Sequence, residues 1–336
     1  MKPLAWQREA LGALLAARDR LPHAVLVRGR AGIGKVIFAR ALAAAVLCES
    51  GRGGEACGAC PSCHWFSQGN HPDFREVVPQ AAAEDEEGAE GEGGKADAKK
   101  SLVIRIDQIR AVADFVSLST HRAGFRVLLI HPAQALHPAA ANALLKTREE
   151  PPPATLIVLV TSHPSRLLAT LRSRCRSLAP GEPTAAEALA WLREQGVERP
   201  EAALAAAGGA PLLARDLAGE EETRLRERVL AELARPAGAD ALGFAAQVDR
   251  PSLERVIFWM QTWVHDLVRV RLAGSLRHHG ALEPAVRAKA RGADLEALLD
   301  LDRGLAEARR LAAHPSNARL LAEHLMMAYN RATSGA

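Results

Sequence analysis

Ala24-Val25-Leu26-Val27-Arg28-Gly29-Arg30-Ala31-Gly32-Ile33-Gly34-Lys35-Val36-Ile37-Phe38-Ala39-Arg40 is the stretch on which the fold turns. Its first five residues read as a short buried strand, and residues 36–47 read as an apolar, alanine-rich helix. The glycines between them keep the spacing of a phosphate-binding loop, G-x-x-x-x-G-K-[ST]. A strand-to-helix turn of this kind directs backbone N–H groups and a helix N-terminus at an anion. Gly29, Gly32, Gly34 and Lys35 therefore form a candidate phosphate cradle. One position departs from the pattern: Val36 stands where a hydroxyl is needed for Mg²⁺. That combination reads as a chain descended from ATPases that no longer performs the reaction. The plain alternative is a glycine-rich turn with a solvated Lys35.

A working ATPase of this type also needs an acid at the end of a neighbouring hydrophobic strand to hold the metal. The strand Val127-Leu128-Leu129-Ile130 is followed instead by His131-Pro132, and no obvious acid replaces it. No ATP hydrolysis by the chain alone is expected.

Further strands are predicted at 74–78, 102–106 and 155–160, and Arg126 extends the strand that ends at Ile130. Helices are predicted over 108–116, with Asp107 as its cap, and from Pro138 to a stop at Pro151-Pro152-Pro153. Strands apolar on both faces that alternate with helices imply a parallel sheet covered on both sides, up to about residue 180. Beyond Pro180-Gly181-Glu182-Pro183 only helical periodicity remains. Thr184-Ala185-Ala186-Glu187 is a capping box for a helix ending near Gly196. Amphipathic helices follow at 253–272 and 317–329, with a break expected around 222–237. Phe258, Trp259 and Trp263 read as core or subunit-interface packing rather than a base-stacking platform.

Of the 336 residues, 48% are hydrophobic, 24% charged and 4% aromatic, with a formal net charge of +4. At about 150 residues per domain, two or three domains are expected. No apolar run approaches the ~20 residues that span a bilayer, and Met1-Lys2-Pro3-Leu4 does not open a signal peptide. A cytoplasmic protein is expected, and the charge is too slight to diagnose nucleic-acid binding.

Four of the five cysteines cluster: Cys48, then Cys57-Gly58-Ala59-Cys60-Pro61-Ser62-Cys63. Where thiols stay reduced, this spacing favours a structural Zn²⁺ held by four thiolates, which would staple the helix after the phosphate loop to the glycine-rich stretch 51–54. Unligated thiols and a redox role are the alternatives. With four sulfurs available, His64 is a bystander. Residues 80–100 are rich in acid, alanine and glycine with no large apolar side chain, so they read as a disordered, solvated insertion; a tether for a basic partner is the alternative.

Asn142-Ala143-Leu144-Leu145-Lys146-Thr147-Arg148-Glu149-Glu150-Pro151-Pro152 and Leu168-Ala169-Thr170-Leu171-Arg172-Ser173-Arg174-Cys175, with the cysteine cluster, resemble the bacterial clamp-loader branch of AAA+ proteins over essentially the whole chain. Arg148 departs from the leucine usual in the first run. The resemblance implies an α/β AAA+ domain with a parallel sheet at 1–182, carrying a zinc module at 48–63, then an all-α lid at 183–222 and an all-α collar at 223–336. Val36, His131-Pro132 and Leu212, which stands where active relatives place a phosphate-sensing arginine, match a non-hydrolysing subunit of the DNA polymerase III clamp loader. Such a subunit supplies Arg174, flanked by Ser173 and Cys175, as an arginine finger to ATP on a neighbour. Arg172 and Arg176 lie close enough in sequence to be alternatives.

The implied partners are gamma/tau-type ATPase subunits, the clamp-opening delta subunit, the sliding clamp and primed DNA, in a pentameric ring with no membrane. Two other classes stay open. An active ATPase subunit of a clamp or helicase loader would hydrolyse ATP stoichiometrically. A zinc-dependent DNA-binding protein would surround its cysteines with basic residues, whereas Glu49, Glu55 and the acidic insertion lie nearby in the sequence.

Overall fold

A computed structural model describes residues 2–50, 54–80, 101–117, 124–149, 154–312 and 317–334. The acidic insertion beyond Gln80 and the triple-proline stop at 151–153 lie outside the described residues. The chain divides into two compact units, Met1–Glu187 and Ala188–Ala336.

The first unit is built on five strands, β1 (Ala24–Arg28), β2 (Phe74–Val77), β3 (Arg126–Ile130), β4 (Thr155–Thr161) and β5 (Arg176–Leu178). They pair in parallel in the order β2-β3-β4-β1-β5. Every residue of β3 and β4 is buried, which requires a helical layer on each face. On one face Val25, Val27, Val127, Leu129 and Val158 meet Phe38, Leu42 and Val46 of the helix Lys35–Leu47. On the other, Leu26, Leu128 and Ile157 meet Ile109 of the helix Ile106–Ser117 and Leu144 of the helix Pro138–Glu149. The segments that follow β1, β3 and β4 all leave the sheet at one end, because the strands run the same way.

Three features of this unit differ from the sequence reading. The strand at 102–106 is a single bridge, Ile104 to Leu136. Only Ile104 pairs with the backbone of another segment, its N–H donating to the Ala135 carbonyl and its carbonyl accepting from the His137 N–H, while Leu102 and Val103 stay exposed. The helix then starts at Ile106, so Asp107 sits inside its first turn beside Arg110 rather than capping it. The side chain of Gln108 accepts the Arg105 N–H instead, at 3.0 Å. The third feature is β5, a three-residue edge strand whose first two residues are exposed and which therefore leaves no apolar signature.

The second unit is helical throughout the described residues. The capping box at the end of the first unit forms as expected: Thr184 N–H and Oγ1 reach Glu187 Oε2 at 2.8 and 2.7 Å, and Glu187 N–H returns to Thr184 Oγ1 at 3.2 Å. The helix Arg250–Ala273 runs through the core with Trp259 and Trp263 fully buried, so these aromatics are packing residues. Trp263 Nε1 donates to the Tyr329 hydroxyl at 3.0 Å, and that hydroxyl donates to the Leu233 carbonyl at 2.6 Å. The break expected at 222–237 is mostly helix, Glu220–Leu233. Its first turns are charged and carry no buried residue, which made them look like a linker; Val229, Leu230 and Leu233 anchor its far end. No helix of the described residues is long and apolar enough to cross a membrane.

Candidate functional site

The phosphate loop has the backbone its glycines predict. Gly32 and Gly34 adopt φ of 75° and 87°, left-handed values that strain any side chain, and Gly34 opens the helix Lys35–Leu47. The loop is closed on itself. Lys35 is 7% exposed and its ammonium donates to the Arg30 carbonyl within the loop. Burial pulls its pKa down to about 8. From below, the Trp6 indole N–H reaches the Ile33 carbonyl at 3.1 Å, and the Gln7 amide reaches Ile33 and Gly34 carbonyls at 3.2 and 2.9 Å. Trp6 is itself wedged: a Cβ on Gly181 would lie 2.2 Å from its carbonyl oxygen. Val36 packs against the apolar core, half-buried.

At the end of β3, His131 Nε2 lies 2.5 Å from Glu76 Oε1. Glu76 belongs to β2, so an acid does stand beside this position, one that sequence reasoning missed. It is already committed, since Arg40 Nε reaches both its oxygens at 3.0 and 3.2 Å. Burial pushes the Glu76 carboxyl up, but the bonds from His131 and Arg40 outweigh it and leave the pKa below the ordinary value. Thr161, buried at the end of β4, gives its hydroxyl to Gln134 Oε1 at 2.6 Å.

Arg174 follows the short helix Ala169–Ser173 and is exposed. Its Nη1 donates to the Thr170 carbonyl at 3.2 Å, the carbonyl that Ser173 Oγ also reaches. Cys175 donates to the Leu171 carbonyl at 3.2 Å and packs on the core, fixing the turn that presents Arg174. No carboxylate of the described residues pairs with Arg174. Arg172 and Arg176 are exposed too. The position of all three follows from the sheet: Arg176 pairs with Val25 near the start of β1, whereas the phosphate loop follows its end. Four residue steps of about 3.3 Å put the two sites on the order of 13 Å apart along the strand, at opposite ends. Arg174, just before β5, therefore lies toward the end of the sheet opposite this chain's own loop.

Cys48, Cys57, Cys60 and Cys63 converge, with all four sulfurs within 4.8 Å of one another and the pairs Cys48–Cys60 and Cys57–Cys63 at 3.9 Å. A tetrahedron with ~2.3 Å Zn–S bonds has edges of about 3.8 Å, so the set fits that metal. Backbone N–H groups of Ala59 and Cys60 point at the Cys57 sulfur at 3.4 and 3.3 Å, and these bonds, together with those from the Cys48 and Cys60 side chains, lower its pKa to about 6. Burial raises Cys63 to about 12. His64 is exposed and outside the group. The module is anchored through Ser62, whose hydroxyl donates to the Leu47 carbonyl at 2.6 Å and meets His71 Nε2 at 2.7 Å. His71 Nδ1 accepts the Asp73 N–H, so Nε2 carries the proton.

A family described as "DNA polymerase III, delta subunit" matches residues 9–180. DNA polymerase III subunit delta-prime of Pseudomonas aeruginosa is 34% identical over 275 residues, 80% of this chain and 77% of that protein. The subunit of the same name from Escherichia coli is 31% identical over 290 residues, 84% and 79% of the two chains. A solved structure of a DNA polymerase III gamma subunit-related protein from Thermotoga maritima covers 96% of this chain and 99% of its own, at 16% identity and a TM-score of 0.45.

Proposed function

Because the chain belongs to the DNA polymerase III delta-prime family of clamp-loader subunits, we propose that it acts as the non-hydrolysing member of the ring and lends Arg174 to ATP bound by a neighbouring subunit. The observation that carries this reading is the placement of Arg174, exposed, free of any carboxylate partner among the described residues, and at the end of β5 opposite the phosphate loop. A permanently charged fork of donors in that position serves a phosphate held by another molecule. The chain's own loop supports the other half of the proposal. Lys35 is turned onto Arg30, Val36 offers no metal ligand, and Glu76, the acid beside the end of β3, is held by Arg40 and His131.

The ring we propose contains gamma/tau-type ATPase subunits and the clamp-opening delta subunit, works in the cytoplasm, and places the sliding clamp on primed DNA. Within the second unit, residues up to about 222 serve as the lid and the remainder as the collar. Zn²⁺ held by Cys48, Cys57, Cys60 and Cys63 is structural, since four thiolates leave no open coordination position for chemistry.

The test is reconstitution with the ATPase and delta subunits, the clamp and primed DNA, comparing wild type with Arg174→Ala. The complex should assemble, while hydrolysis at the neighbouring site falls by roughly 10³-fold or more. Unchanged clamp loading and turnover would refute the finger, and Arg172→Ala and Arg176→Ala should leave both near wild type.

A further inference from the structure

A pocket of the second unit, with a volume of about 1030 Å³, lies beside one face of the helix Glu220–Leu233. Its wall is mainly apolar, with Val197, Ala203, Leu217, Leu230 and Leu282 among the lining residues. Most charged residues on it, Glu198, Arg199, Arg215, Glu220 and Glu227, are exposed and solvated. Arg226 is the exception. Its guanidinium stacks over the ring of the buried Trp259, 5.4 Å from the centroid, and its Nε is buried without a hydrogen-bond partner.

No carboxylate or carbonyl of the described residues bonds Arg226. Burial lowers the pKa of the guanidinium; the adjacent Glu227 raises it in part and Arg199 lowers it further. A half-buried cation that no carboxylate of the described residues balances costs free energy that a bound anion would recover, and charge-assisted bonds to guanidinium are among the strong ones.

We propose that this pocket binds a small amphipathic anion, with Arg226 holding a singly charged head and the apolar wall taking its hydrocarbon body. The single partly buried cation selects the charge. A carboxylate balances that one charge. The pocket's size is at the upper end of the ~300–1,000 Å³ of ordinary small-molecule sites. All of its residues belong to the second unit, and the inference does not depend on the role of Arg174.

The test is calorimetric titration of the full chain with decanoate and with decanol, which share a body and differ in charge. Decanoate should bind wild type at least about tenfold more tightly than decanol, a difference of about 1.4 kcal/mol. Arg226→Gln should abolish that preference by weakening decanoate while leaving decanol unchanged, and Arg226→Lys should retain part of it. Should Arg226→Gln fail to fold, the ratio on wild type and on Arg226→Lys decides. Equal affinity for the two probes, no binding of either, or an undiminished preference in Arg226→Gln overturns the proposal.

Discussion

Lys35 shows at one residue how the loop is closed. Its folded pKa of about 8 lies below the ordinary 10.5, so between those values the unfolded chain holds a proton that the folded chain has released. Stability therefore rises with pH across about 8 to 10.5 and is insensitive to this group below 8, where both states are charged. Lys35→Met removes a desolvation cost of up to about 3 kcal/mol at pH 7, offset in part by the lost bond to Arg30. Thermal melts should place the variant at or above wild type at pH 7, with the gap closing by pH 10. Clamp loading should be unaffected, and a loss of loading would mean that Lys35 still serves a nucleotide. The loop was legible in the sequence because glycine spacing encodes backbone shape directly. Glu76 was not, since its partner His131 lies 55 positions away and only the pairing of β2 with β3 brings them together.

Elements were legible in proportion to how much apolar surface they bury. β1, β3 and β4 are nearly all buried, and their limits follow from hydrophobic runs. The stretch at 102–106 failed as a strand because two of its apolar residues face solvent, and β5 escaped notice because an edge strand of Arg176-Ser177-Leu178 owes its pairing to β1 rather than to its own composition. The cysteine module is the opposite case, where spacing alone specified the element. Its helix Pro61–Ser67 has only seven residues, too few to be stable by itself, and Cys60 caps it through sulfur. Metal binding should therefore supply the module's stability. At a free Zn²⁺ concentration about a thousandfold above the dissociation constant, the contribution is about 4 kcal/mol. A chelator should lower the melting temperature by on the order of 10 °C with one Zn²⁺ released per chain. Cys60→Ser should lack both the metal and the chelator response; a melting temperature indifferent to chelation would dismiss the structural role.

At the scale of the whole molecule, the residues that close each core come from one unit only. The clusters around the sheet draw on residues up to Leu178, and the helical core draws on Ala188 to Ala332. The helical core is tied across its width by a polar relay, Trp263 to Tyr329 to the Leu233 carbonyl, joining three helices far apart in sequence. Tyr329→Phe keeps the ring's packing but strands the Trp263 N–H and the Leu233 carbonyl, two buried groups costing about 1–3 kcal/mol each. The predicted loss is roughly 2–4 kcal/mol, and for about 150 residues it should lower the melting temperature of the helical unit by on the order of 5–10 °C. Calorimetry of the intact chain should then resolve which transition moves: Tyr329→Phe should shift the helical unit's transition and leave the chelator-sensitive one in place. If both treatments move a single shared transition, the two cores unfold as one cooperative body and their separation by sequence has no thermodynamic counterpart.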